Sequence, residues 1–137
     1  MKFYRQRNQR GSSIVETAAG LILLIPIVLF LVDVAAMVVC QTENDKIAKA
    51  CARAAAEFPT GQGDGAAQTV WTNQKESTLL HKVACTAVSP VPAGMVSYKT
   101  DVQCNLPVPV PLLGNKTVNF SSIATEPIVG ELAIPGS

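Results

Sequence analysis

From Ala18 to Val32 the chain reads AAGLILLIPIVLFLV, and after one acid at Asp33 it resumes with VAAMVVC as far as Cys40. A run this apolar has few possible fates. The twenty-three residues from 18 to 40 at ~1.5 Å each make about 35 Å of helix, enough to cross a hydrocarbon core of roughly 30 Å. One spanning helix is therefore expected, and the chain beyond it has room for a single small domain. Two carboxylates complicate the picture. Glu16 stands just ahead of the run and Asp33 inside it, and an ionised group in lipid is costly unless it snorkels or pairs.

Charge is distributed unevenly. Lys2, Arg5, Arg7 and Arg10 fall in the first eleven residues with no acid among them, whereas the rest of the chain carries seven basic and ten acidic residues. Lysine and arginine stay on the cytoplasmic side, so the N-terminus is expected inside and everything after Cys40 outside. No basic stripe continues beyond the leader and aromatic residues are few, which excludes nucleic acid as a partner. The cysteines at 40, 51, 85 and 104 lack paired metal-ligand spacing and His81 stands alone, so neither metal nor cofactor is expected.

Three readings of the N-terminus compete. Val34-Ala35-Ala36 offers a signal-peptidase site, but the run is long for a signal peptide and is bracketed by two acids. A lipoprotein signal ending at Cys40 fails on Val39, where a small residue is required. The third reading is a basic leader ending at Gly11: cleavage before Ser12 makes Glu16 the fifth residue of the mature chain. The acid then has a purpose, because the newly exposed amine of a neighbouring subunit's Ser12 is its natural partner.

Within the span, Pro26 removes one helical hydrogen bond near Ile22 and predicts a kink or local loosening. Asp33 lies about 10 Å inside the expected outer end of the span, where it must face another helix or snorkel outward. Beyond Cys40, TENDKIAKACARAAAEF is rich in good helix formers, with Ile47, Ala48, Cys51, Ala54, Ala55 and Phe58 at helical spacing. Pro59 and the glycines at 61, 63 and 65 end the helix.

The outer part reads as α+β. AAQTVWTNQKESTLLHKVA predicts a second helix, with Asp64 available as its cap, Ala67, Val70, Trp71, Leu79, Leu80 and Val83 as buried positions, and strand character from near Val83. MVSYKTDVQCNL alternates with period two: Val96, Tyr98, Thr100, Val102, Cys104 and Leu106 share one face of a half-buried strand. PVPVPLLGNK is a proline-rich connection, Gly114-Asn115 its turn, and KTVNFSSIA the returning strand, with Val118, Phe120 and Ser122 inward. The sum is a long transmembrane helix continuing into a stem, with a small helix and an antiparallel sheet forming a head. Expected boundaries are 1–11 for the leader, 12–58 for the span and stem, 59–65 for a linker, 66–125 for the head and 126–137 for a loose tail.

A head this small gains from a cross-link. Cys85 and Cys104 are the expected pair, since both lie in extended segments on the oxidising side. Cys51 with one of them is the alternative, and Cys40 is left as a buried thiol. Cys40 and Cys51 share a helical face but stand about 16 Å apart along it. His81 and Cys85, four residues apart, hint at a thiol with a base, yet no orienting third group accompanies them and no enzyme is expected. Asn115-Lys116-Thr117 and Asn119-Phe120-Ser121 match the glycosylation tripeptide, a pattern that arises easily by chance.

The basic leader, Gly11 before Ser12, SSIVET followed by an apolar helix, the alanine-rich AKACARAAAEF and the late VSYKTDVQC and PLLGNKTVNFSSIATEP together resemble the TadE-like minor pilins or pseudopilins of tight-adherence (Tad) pili, relatives of the type IV pilins. The N-terminal third carries the specific part, with Ser12 standing where many pilins place an aromatic residue. The resemblance implies cleavage between Gly11 and Ser12 by a prepilin peptidase, Glu16 as the processing and assembly residue, and residence in the inner membrane. It further implies partnership with other pilin subunits through the N-terminal helix, an inner-membrane assembly platform, and a final place in an adhesive filament. Rival expectations are an uncleaved single-pass accessory protein and a pseudopilin of a type II secretion system.

Overall fold

The computed structural model describes residues 10–108 and 117–129, with side chains from residue 13. Residues 1–9 of the expected leader, the expected Gly114-Asn115 turn and residues 130–137 of the expected tail lie outside the described residues. Helix α1 runs from Arg10 to Ala56, 47 residues, or about 70 Å. Helix α2 follows at Asp64–Asn73, then strands β1 (Leu80–Ala87), β2 (Met95–Asn105) and β3 (Thr117–Pro127). The strands form one antiparallel sheet in the order β1-β2-β3. The chain is thus α+β: one long helix whose first part is apolar, one short helix and a three-stranded sheet.

Helix α1 is unbroken through Pro26. The lost hydrogen bond is confined to one turn, and strong helix on both sides keeps the loosening expected there from interrupting the element.

Burial divides α1 into two unlike halves. Every residue from Ser13 to Val32 is exposed, whereas from Asp33 onward buried positions recur every three or four residues: Asp33, Ala36, Cys40, Asn44, Ile47, Ala48, Cys51, Ala52 and Ala55. That is the stripe of an amphipathic helix lying on a sheet. The head covers one face of α1 down to Asp33, so the segment 34–40 already packs against the head through Ala36 and Cys40. Alanines at 48, 52 and 55 let the sheet approach the helix axis closely, and α1 lies chiefly across β2 and β3 while α2 flanks it.

The core has two storeys. The upper joins Ile47, Ala48, Cys51 and Ala55 to Ala67, Cys85, Tyr98 and Ala124; the lower joins Cys40 to Leu80, Val102 and Cys104. Between them Asn44, 1% exposed, bridges stem and sheet. Its amide donates to the carbonyls of Thr100 (3.3 Å) and Phe120 (3.4 Å), and its side-chain oxygen accepts from Thr100 Oγ1 at 2.7 Å. A buried amide with every group engaged fixes the axial register of helix on sheet, since sliding by one turn would leave it unpaired. Beside it, Ser122 Oγ donates to Asp45 Oδ1 at 2.6 Å.

The period-two face of β2 is as expected from Tyr98 to Cys104, with Tyr98, Thr100, Val102 and Cys104 buried, whereas at its start Ser97, of the opposite face, is buried and Val96 only half-buried. On β3, Val118, Phe120 and Ser122 face inward with Ala124. The second helix is shorter than its sequence suggested. It ends at Asn73 because the polar stretch from Thr72 to Thr78 offers no apolar stripe to bury, and Leu80 already belongs to β1. Lys82 Nζ donates to the carbonyls of Trp71 (2.9 Å), Thr72 (3.3 Å) and Gln74 (2.8 Å), closing the end of α2 from the adjoining strand. Val83, expected inside, is 62% exposed. It is the extra residue of a bulge, where the register with β2 shifts between Lys82 and Ala84.

The connection from α1 to α2 passes too close to the stem for any side chain. A Cβ on Gly63 would stand 2.7 Å from Ala55 Cα and 2.8 Å from Ala55 Cβ, and would crowd the Ala55 carbonyl as well. Gly63→Ala is expected to lower stability by about 1–3 kcal/mol. Gly65→Ala, in open space within α2, should be neutral or stabilising by up to about 1 kcal/mol. Thermal melts of the two variants in detergent check the pair.

Candidate functional site

Ser13 to Val32 is the surface that most needs explaining. Among its side chains Ile14 and Ile22 are each 73% exposed and Leu23 66%. A core helix of a water-soluble domain buries such residues, and an exposed apolar patch of this extent marks a surface made for lipid or for other proteins. The helix is long and apolar enough to cross a membrane. The uncovered stretch is twenty residues long, or ~30 Å of helix, the thickness of a hydrocarbon core.

Polar groups sit only at the two ends of this cylinder. At the N-terminal end, Gly11 and Ser12 lie in the first turn of α1 and Glu16 about one turn further on. Glu16 is exposed and takes part in none of the ion pairs among the described residues. Thr17 Oγ1 is satisfied locally by the Ser13 carbonyl at 2.9 Å. At the C-terminal end Asp33 is 2% exposed, and its Oδ1 accepts from the backbone N–H of Val108 at 3.2 Å. It neither faces a second helix nor snorkels: the segment after β2 comes down to meet it. Asp33 therefore marks the point where lipid-type surface gives way to protein cover.

Just above that boundary the stem and sheet are covalently joined. Cys40 is bonded to Cys104, with Cα atoms 6.0 Å apart. The expected Cys85–Cys104 bond is absent, and so is the free Cys40 thiol. Strand register is the reason: Cys85 pairs with Thr100 on β2, four residues from Cys104. That places the two cysteines roughly 13 Å apart, well beyond bridging distance. Cys104 faces the lower stem, where Cys40 is its neighbour across the layer. Cys51 and Cys85 are the free cysteines, both buried.

His81 and Cys85 are not brought together. In a regular strand residues four apart share a face, but the bulge at Val83 reverses the alternation between them. His81 is half-buried on the outer side of the strand, with Nδ1 3.5 Å from Glu76 Oε2, while Cys85 points into the core. Burial raises the Cys85 thiol above its ordinary value.

At the top of the head, Tyr98 is 2% exposed and its hydroxyl donates to the Asp64 carboxylate in the first turn of α2. Asp64, expected as a helix cap, thus ties α2 to the sheet instead. Burial first, and then this hydrogen bond, push the phenol well above its ordinary value of 10.0. A raised value in the folded state means that the contribution is intact below the ordinary value and is lost as pH climbs past it. Thermal stability is expected to fall progressively as pH rises from about 10 upward, and to fall less steeply in Tyr98→Phe, whose stability at neutral pH is lower. Melts of both proteins across that range are the measurement.

Asn44 was the residue least visible in sequence. The only signal for it was its place four residues beyond Cys40 in the buried series. No protein-family model, no curated protein and no solved structure matches this chain.

Proposed function

We propose that this protein is a structural subunit of the pilin type, held in the inner membrane by the uncovered half of α1 and passed into, or priming, a Tad-type adhesive filament after its leader is removed between Gly11 and Ser12. The observation that carries the reading is the division of one continuous helix into a bare apolar half and a half wrapped by its own head. A helix needed only as an anchor has no use for an acid one turn past a Gly-Ser step. In a bundle of such helices Glu16 receives the amine of the adjacent copy's Ser12, and each pairing fixes one axial step. A stem and head that together span Asp33 to Val129 suit a minor subunit better than a major one, because a densely repeated shaft leaves little room around each helix.

The test is the intact mass of the exported chain. Loss of the first eleven residues, with Ser12 as the new N-terminus, is the expected result. A full-length chain that works at the cell surface would make it an uncleaved accessory protein. Copurification of the processed chain with secretion machinery, and not with sheared filaments, would make it a type II secretion pseudopilin.

A further inference from the structure

Two thiols meet in the upper core. Cys51 on α1 is fully buried and Cys85 on β1 is 8% exposed. Both are free, both belong to the same core cluster, and the two thiols lie near enough for each to act on the other's titration. The strand is shaped to produce this meeting. β1 begins with Leu80 facing the stem opposite Cys104, so an unbroken alternation would turn Cys85 outward. The bulge at Val83 shifts the parity by one and aims Cys85 inward, opposite Thr100. Gln68 Nε2, donating to the Cys85 carbonyl at 3.0 Å, holds the shifted strand against α2.

We propose that Cys51 and Cys85 close as a second disulfide during export, tying the upper stem to β1 as Cys40–Cys104 ties the lower stem to β2. The inference rests on the outward-facing head of the proposed function. The oxidant is a disulfide carried by a thiol-disulfide oxidoreductase. The thiolate of one cysteine attacks that disulfide, leaving a mixed disulfide and expelling one oxidant sulfur as thiolate. The thiolate of the other cysteine then attacks the sulfur of the first, forming the new bond and releasing the second oxidant sulfur. Two thiol protons leave, two electrons pass to the oxidant, and the oxidant departs as a dithiol. Once the head is packed, burial pushes the Cys51 thiol up to about 12 and raises Cys85 as well, so little thiolate remains to react. The exchange therefore belongs to the interval before the stem and sheet close.

The full chain, purified from membranes without reductant and denatured in iodoacetamide, is read by intact mass and peptide mapping. The expected result is no adduct on any cysteine, together with a reductant-sensitive peptide pair joining Cys51 to Cys85. Adducts on Cys51 and Cys85 with Cys40–Cys104 still linked would overturn the second bond and leave the export reading standing. Adducts on all four would overturn both. A link from Cys104 to Cys51 or Cys85 would likewise refute the pairing. In Cys51→Ala, Cys85 alone should become labelled while Cys40–Cys104 persists; an unlabelled Cys85 there would rule Cys51 out as its partner.

Discussion

Replacing Cys40 with serine should lower the stability of the head by about 4 kcal/mol, the chain-entropy value for a bond spanning 64 residues of sequence. For a domain of this size that corresponds to a fall of roughly 15–30 °C in melting temperature. Cys104→Ser should cost the same, and the double variant little more than either single, because each change breaks one shared bond. The loop closed by this bond contains α2, β1 and most of β2, so its loss frees nearly the whole head in the unfolded state. Thermal melts of the full chain in detergent, with and without reductant, provide the measurement. A nearly unchanged melt for Cys40→Ser would mean that Cys104 is bonded elsewhere and that the stem-to-sheet cross-link is wrong.

The second large effect concerns Glu16. Glu16→Leu should leave membrane insertion intact, since the apolar run only gains hydrophobicity, yet reduce recovery of the subunit in sheared filaments by roughly tenfold to a hundredfold. That range corresponds to one charge-assisted hydrogen bond of about 1.5–3 kcal/mol between carboxylate and amine. Glu16→Gln keeps the shape and loses the charge, so it should fall between wild type and Leu. Leader removal, followed by mass in the same preparations, separates a processing defect from an assembly defect. Normal filament recovery for a fully processed Glu16→Leu chain would deprive the pairing argument of its basis.

Much of this architecture could be read directly from residue order. The long helix follows from apolar residues running into alanine-rich helix formers, and β2 and β3 follow from strict alternation at 96–106 and 118–122. Such signals are local, and tertiary packing had only to accept them. What escaped were features that depend on two distant segments meeting. The Cys40–Cys104 bond needs the knowledge that β2 lies across α1 with Cys104 level with Cys40, a register held by Asn44 some distance away. The bulge at Val83 has no signature in VAC, and it alone decides which side of β1 carries Cys85. Asp33 is visible in the sequence but ambiguous there. An acid inside an apolar run can mark the end of the lipid-facing part as well as an interruption of it, and the spacing of Asp33, Ala36 and Cys40 with Asn44 and Ile47 favours the former.

The position of the cross-link also determines how a load on the sheet would reach the helix. Cys40 is only seven residues beyond Asp33, about 10 Å along the axis, so a pull on the sheet enters the shaft near its base through a covalent strut. Without that strut, the only covalent route from β2 or β3 back to the helix would run along the polypeptide, through β1, α2 and the Gly63 crossing, and the sheet would be held to the stem by weak contacts alone, free to peel like a zip opened from its foot. With it, the layer of weak contacts is bypassed, and the strength of the joint is set by a covalent bond.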